Sequence, residues 1–233
     1  RYAPDVQVKK PNVLRGTPEF IPLPGVAPVL IYCGDAIEVM RRLPAASVDM
    51  VFADLPYGTT YAPWDSVIPL MPMWEELLRV TKPCSAIVLT ASQPFTSALV
   101  MSQPHLFRVQ WVWDKVNGAN FANANKQPLK VHESVLVFAT GQPLYSPIKT
   151  LGKPNHTQGK NAKPNVSEAR LINQRVEDDL SGLKFPKSIV TFPKHSSQSK
   201  LHPTQKPEAL CDYFIRTYSH EGATVLDCSA GSG

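Results

Sequence analysis

Three short stretches combine residue types able to do chemistry, and each adjoins an apolar run or a helix. The first is Asp54-Leu55-Pro56-Tyr57-Gly58, directly behind VDMVFA. A carboxylate, a proline that frees and aims neighbouring carbonyls, and an aromatic ring suit a flat molecule bearing an NH2 group. Asp54 accepts one amine hydrogen, a backbone carbonyl accepts the second, and Tyr57 stacks on the ring. An amine conjugated to a ring is a poor nucleophile, and two acceptors draw it toward tetrahedral character as it attacks. Taken alone, an acid-x-Pro-aromatic after a strand is more often a turn. The second stretch is VLDCSAGSG at 225–233. A strand ending in Asp and followed by G-x-G brings backbone close to a nucleotide-like cofactor, or makes an ordinary strand-to-helix turn. The third is His202-Pro203-Thr204-Gln205-Lys206-Pro207. Its prolines stiffen the chain while four side chains offer donors to a carboxylate or ribose; otherwise it is a helix start.

The elements that must position these residues follow from the apolar pattern. VLIY, AIEVMRRL, VDMVFAD, MWEELLRV and SAIVLT alternate from residue 29 onward, a strand-helix-strand-helix-strand rhythm. Nearly continuous apolar strands predict a mostly parallel α/β sheet with helices on both faces, whose ligands lie beyond the carboxyl ends of its strands. Ser92 and Pro94 open a helix over QPFTSALVM, and Lys82-Pro83 stops the one before it. Strands are predicted at 107–113 and 133–140, a helix at 207–219 with Leu210, Phe214 and Tyr218 on one face, and a last strand leading into the glycine loop. Trp64, Trp111 and Trp113 could stack on bases, but Trp111 and Trp113 share one strand face and read as core. Four parts are expected: an irregular, proline-rich arm at 1–28, one half of the main domain at 29–140, an exposed basic segment at 141–200, and the other half at 201–233.

Charge is distributed unevenly. The chain of 233 residues carries a net +5, yet Gly141 to Lys206 alone holds eleven Lys or Arg against four acids. A basic segment beside a nearly neutral body suits a phosphate backbone, or is a solvated lysine-rich loop. Lys184, Lys187, Lys194 and Lys200 are the candidate phosphate contacts. No apolar run approaches the length that spans a bilayer, so a cytoplasmic location is expected. Cys33, Cys84, Cys211 and Cys228 show no C-x-x-C spacing and are expected to be buried thiols. The chain opens on Arg1 and closes on a glycine of the G-x-G, so part of a longer protein is expected.

Together, and in this order, D-L-P-Y at 54–57, H-P-T-Q-K-P at 202–207 and V-L-D-x-x-A-G-S-G at 225–233 resemble the amino-DNA methyltransferases of the permuted β type, found in bacteria and phages. The resemblance takes in Gly34-Asp35-Ala36, Ser47-Val48-Asp49 and His132-Glu133, and covers about residues 29 to 233. It implies a Rossmann-like class I methyltransferase fold in permuted order, S-adenosylmethionine as methyl donor without a metal, and double-stranded DNA with the target base flipped out of the stack. By that resemblance Asp54, Leu55, Pro56 and Tyr57 hold the target amine and stack on its base. Asp227, Ala230, Gly231 and Gly233 line the methionine end of the cofactor, with Asp54 beside them. Asp35 and Ala36 meet its adenine, unless Asp35 merely caps a helix. His202, Thr204, Gln205 and Lys206 close around its amino-acid part.

Aspartate at 54 points to adenine N6, because the cytosine N4 enzymes usually carry serine there. Cytosine N4 and a catalytically silent DNA-binding relative are the alternatives. A homodimer and a cognate restriction endonuclease are further expectations of the resemblance. Two departures stand out: Leu55 replaces the family's usual proline, and the family's helix and acidic strand after the glycine loop lie beyond Gly233.

Overall fold

Strict alternation along the strands decides how the sheet is covered. In the computed structural model, which describes residues 19–21, 29–59, 62, 65–152, 182–194 and 205–231, successive side chains of each central strand enter two separate cores. From strand β3 (Val48–Asp54), Val51 and Ala53 enter one core, and Met50 and Phe52 the other. Strand β4 (Thr81–Ala91) divides Ile87 and Leu89 from Val88 in the same way. A strand apolar on both faces requires cover on both. Three helices supply it on one side, α1 (Ala36–Met40), α2 (Leu70–Val80) and α3 (Phe95–Ser102). Helix α4 (Glu208–Tyr218) supplies it on the other.

Helix α2 buries Met73, Trp74, Leu77 and Val80, one face of a helical period. Each such side chain contributes roughly 1.5–3 kcal/mol on burial. It ends where Thr81 turns extended and starts β4, its hydroxyl donating to the Leu77 carbonyl. On α4 the buried residues are Leu210, Phe214, Thr217 and Tyr218, so the predicted stripe faces the core.

Among the described residues the main sheet has six strands in the order β10-β3-β4-β6-β5-β9, where β5 is Phe107–Ala119, β6 Lys130–Phe138, β9 Ile189–Thr191 and β10 Val225–Leu226. The pairings β10-β3, β3-β4 and β5-β9 are parallel, and β6 is antiparallel to both neighbours. Five strands therefore point the same way, as a Rossmann-like class I fold requires, and β6 alone runs back. Asp54, the end of β4, the start of β6 and Asp227 consequently meet at one end of the sheet. Among the described residues no helix is long and apolar enough to cross a membrane.

Several expectations are corrected. VLIY does not join the parallel sheet: β2 (Val29–Ile31) pairs antiparallel with β1 (Glu19–Ile21), and its three side chains are exposed. β10 occupies the position beside β3, so this apolar triplet is left outside the two cores, while the arm expected to be irregular supplies β1. The basic segment, expected to be exposed and outside the sheet core, was given no strands, yet contributes β9 at the sheet edge and a small sheet of β7 (Thr150–Leu151) and β8 (Leu183–Lys184). The cysteines are free but not buried thiols: Cys33 and Cys84 are exposed, Cys211 and Cys228 half-buried. Cys33 follows the exposed β2, and Cys84 lies in the part of β4 that precedes its regular pairing with β3 at Ala86.

Candidate active site

Asp54 is the last residue of β3, at the carboxyl end of a central parallel strand, the expected place for a ligand-facing group. Its Oδ1 accepts from the Tyr57 hydroxyl at 2.7 Å and from the hydroxyl of Thr90 on neighbouring β4. Its Oδ2 accepts from the Lys206 ammonium at 2.7 Å. Both hydroxyls and the lysine hold the carboxylate in one orientation. Tyr57 is itself fixed, its ring stacked on Phe95 with centroids 5.6 Å apart. Burial raises the Tyr57 phenol well above its ordinary range, and the charges of Asp54 and Glu133 add to this, so it stays a hydrogen-bond donor.

The rest of the tetrapeptide is set by packing. Leu55 is buried in the core, which places the strand end, and only its backbone is left to act on a ligand. The next turn is clamped by Asp65, whose carboxylate accepts from the backbone N–H groups of Gly58 and Thr59 at 2.9 and 2.8 Å. Gly58 has φ +66°, a conformation that favours glycine.

The loop after β10 reaches the same end. The Ser229 hydroxyl donates to the Asp54 backbone carbonyl at 3.0 Å, tying the two loops together, and the Ser229 N–H donates to Asp227 at 2.8 Å. Asp227 keeps an exposed edge, but desolvation, with the nearby Asp54 charge adding, raises its carboxyl to about 6. Ala230 and Gly231 are exposed just beyond, Gly231 with φ +66°. Two carboxylates facing one crevice favour a cation between them.

Lys206 stands at the centre of a buried charge chain that brings in Lys115, which the sequence reading passed over, and Glu133, to which it gave no role. Its ammonium lies 2.7 Å from Asp54 and 3.4 Å from Glu133 Oε2, while Glu133 Oε1 pairs with Lys115 at 2.9 Å. Side-chain exposure is 2% for Lys115, 11% for Lys206 and 14% for Glu133. Burial alone would depress the Lys206 ammonium, but Asp54 and Glu133 outweigh it and raise it. Burial alone would raise Glu133, but Lys206 and Lys115 outweigh it and hold the carboxyl below its usual range. Lys206 also lies 5.5 Å from the Tyr57 ring centroid and 5.9 Å from that of Trp113.

Glu133 entered the sequence reading only as part of the family resemblance, with no role, because it opens its strand rather than following it. β6 is antiparallel, so its amino end arrives where its neighbours have their carboxyl ends. Lys115 did leave a signal. It continues the inward alternation Trp111, Trp113, Lys115 on β5, and a lysine on a buried face needs a partner.

The remaining site residues are scattered. Asp35 caps α1, its carboxylate accepting from Ile37 and Glu38 N–H at 3.0 and 3.1 Å, with Ala36 the first helical residue. Gln205 is half-buried beside Lys206. Trp111 and Trp113 are core: their indole N–H groups donate to the Tyr218 hydroxyl and the Phe192 carbonyl, both at 2.8 Å. Of the basic candidates, Lys194 follows β9, which is parallel to β5 and so ends on the crevice side. Lys184 lies in β8, and Lys187 precedes β9, toward the opposite end. Trp64, Lys200, His202, Thr204 and Gly233 lie outside the described residues. Among the described residues no cluster of three or more His, Cys, Asp or Glu could hold a metal.

Known proteins bear on this arrangement. The family model described as DNA methylase, of the N6 and N4 amino type, matches residues 48–233. The DNA adenine methyltransferase YhdJ of Escherichia coli is 26% identical over 85% of this chain and 70% of its own length. The Type II methyltransferase M.HpaI of Haemophilus parainfluenzae is 25% identical over 87% of this chain, which spans 64% of that protein. Among solved structures the cytosine-N4-specific PvuII DNA methyltransferase superposes with TM-score 0.57 at 14% identity, over 84% of this chain and 72% of its own, a likeness of fold. With its Asp54-Leu55-Pro56-Tyr57 strand end joined by Ser229 to the loop after β10, this chain belongs to the N6/N4 amino-DNA methylase family.

Proposed function

We propose that the protein transfers a methyl group from S-adenosylmethionine to N6 of an adenine flipped out of duplex DNA. The observation that carries the reading is the Asp54 carboxylate, held by Tyr57 and Thr90, on a residue whose backbone carbonyl accepts from Ser229 of the glycine-bearing loop. The residues suit the methyl donor: its methionine end carries positive charge, and Asp227 and Asp54 face the crevice as carboxylates, with Ala230 and Gly231 leaving backbone exposed beside them. Asp35 and Ala36 are assigned to its adenine. When bound, S-adenosylmethionine supplies an electrophilic sulfonium methyl. The chain's own task is then to aim a nitrogen.

Asp54 accepts one hydrogen of the target amine and the backbone carbonyl at Leu55 the other, which localises the lone pair toward the methyl donor. Tyr57 stacks on the flipped base, and its position is kept by Phe95 on α3. Flipping costs a few kcal/mol, which contacts to the DNA backbone must offset. Lys194, on the crevice side, is a proposed phosphate contact. The aspartate at 54, where the cytosine enzymes usually carry serine, supports adenine.

The test is to incubate the protein with unmethylated duplex DNA and labelled S-adenosylmethionine, digest to nucleosides and identify the labelled base. Labelled N6-methyl-2′-deoxyadenosine is expected. Asp54→Asn, which keeps one acceptor but loses the charge, is expected to lower kcat by roughly 10²–10³, the scale for losing one aimed electrostatic contact. Label on N4 of cytosine overturns the base assignment, and undiminished turnover by Asp54→Asn overturns the role of the carboxylate.

A further inference from the structure

Asp54 has a competitor for its own substrate. The ammonium of Lys206 already donates to Oδ2, while Oδ1 has both acceptor positions filled by Tyr57 and Thr90. A target amine must therefore meet Asp54 through Oδ2, at the atom where a cation sits. That neighbour is the wrong one for the reaction. As nitrogen bonds to the incoming methyl, the C–S bond breaks with its electron pair going to sulfur. Nitrogen then carries a positive charge until it releases a proton to water, and a fixed ammonium beside it opposes this.

The structure holds an alternative berth. Glu133 Oε2 is buried and, among the described residues, accepts no well-formed hydrogen bond, and it lies 3.4 Å from the Lys206 ammonium. Its other oxygen is held by Lys115, which is almost wholly buried beside the Trp113 ring, 5.9 Å from its centroid. Glu133 is thus anchored on one side and open to Lys206 on the other. The four charges, Asp54 and Glu133 against Lys206 and Lys115, cancel in pairs. Moving the Lys206 ammonium from Asp54 to Glu133 frees the Asp54 charge to face the positive nitrogen; the cluster then carries one extra positive charge, which the nitrogen sheds with its proton.

We propose that Lys206 is a movable counter-ion, paired with Asp54 in the empty site and withdrawn to Glu133 when the target amine docks, with Glu133 the positioning residue that makes withdrawal possible. The inference rests on the amine-methylating reading given above. It requires only rotation of a flexible lysine side chain through a short distance between two carboxylates already within reach.

The test uses initial rates of methyl transfer to unmethylated DNA for the wild type, Glu133→Gln, Lys206→Met and the double variant, with the affinity for S-adenosylhomocysteine measured separately by calorimetry. Glu133→Gln removes the berth and pins Lys206 on Asp54. Its kcat is expected to fall about ten- to a hundredfold, equivalent to one or two steps of tenfold in barrier, with cofactor affinity within about twofold of wild type. Removing the competitor as well should reverse much of the loss, so the double variant turns over about tenfold faster than Glu133→Gln alone. Glu133→Asp, which keeps the charge, guards against a folding defect and should retain more activity than Glu133→Gln. A double variant as slow as Glu133→Gln, or a Glu133→Gln enzyme with undiminished kcat, overturns the counter-ion exchange. Absence of transfer by the wild type is a different failure, that of the methylation reading.

Discussion

Replacing Lys115 by Met probes the buried charge chain through stability, independently of turnover. Lys115 is 2% exposed and its ammonium lies 2.9 Å from Glu133, which is itself 14% exposed. Methionine fills much of the volume of the lysine stem, so packing beside Trp113 changes little and the loss is mainly electrostatic. Breaking a buried pair by removing one partner costs about 3–5 kcal/mol when the other charge is left alone. Glu133 is not left alone, because Lys206 stands 3.4 Å from its second oxygen. The expected loss is therefore about 2–3 kcal/mol, below the range for an abandoned charge. For a chain of this size that is a fall in Tm of roughly 5–10 °C. Lys115→Met combined with Glu133→Gln removes both charges and should recover about 1–2 kcal/mol relative to simple addition of the single changes. Urea denaturation of the four proteins, read by tryptophan fluorescence, gives the cycle. A Lys115→Met protein within about 0.5 kcal/mol of wild type, the scale of an inconsequential surface change, would refute the electrostatic account of this chain.

Three further outcomes are expected. Asp227 has its carboxyl raised to about 6 from an ordinary 3.8, so its protonation favours the fold; that contribution is full below about pH 3.8 and is lost as pH rises through about 6. A cationic cofactor prefers the ionised form, so affinity for S-adenosylmethionine should tighten roughly tenfold between pH 5 and 7, and Asp227→Asn should flatten the dependence in calorimetric titrations. Trp111→Phe deletes the indole N–H that reaches the buried Tyr218 hydroxyl at 2.8 Å, and chemical denaturation should show a loss of about 1–3 kcal/mol. Lys194→Gln should reduce the slope of log affinity for DNA against log salt by about 0.9, the value for one phosphate contact, whereas Lys187→Gln, toward the other end of the sheet, should leave the slope unchanged.

Much of the fold was legible in the residues because it is written in local period. VDMVFAD and SAIVLT are too continuously apolar for strands with a wet face, MWEELLRV has a helical stripe, and Leu210, Phe214 and Tyr218 mark the buried face of α4. The tetrapeptide was legible for the same reason: a carboxylate right behind an apolar strand falls at the carboxyl end of a parallel sheet. Which strands neighbour each other is a long-range matter, and there the tertiary structure decided. VLIY has the composition of a core strand, but β10 took the place beside β3 and left the triplet to pair with Glu19–Ile21 in the open. Ile189–Thr191 lies in a stretch of basic and proline-rich sequence, yet the free edge of β5 recruits it into the sheet. The reversal of β6 is the decisive case. It carries Glu133 to the crevice from the beginning of its strand, and so places a second carboxylate within reach of Lys206, a relation between residues 73 positions apart that no local pattern encodes.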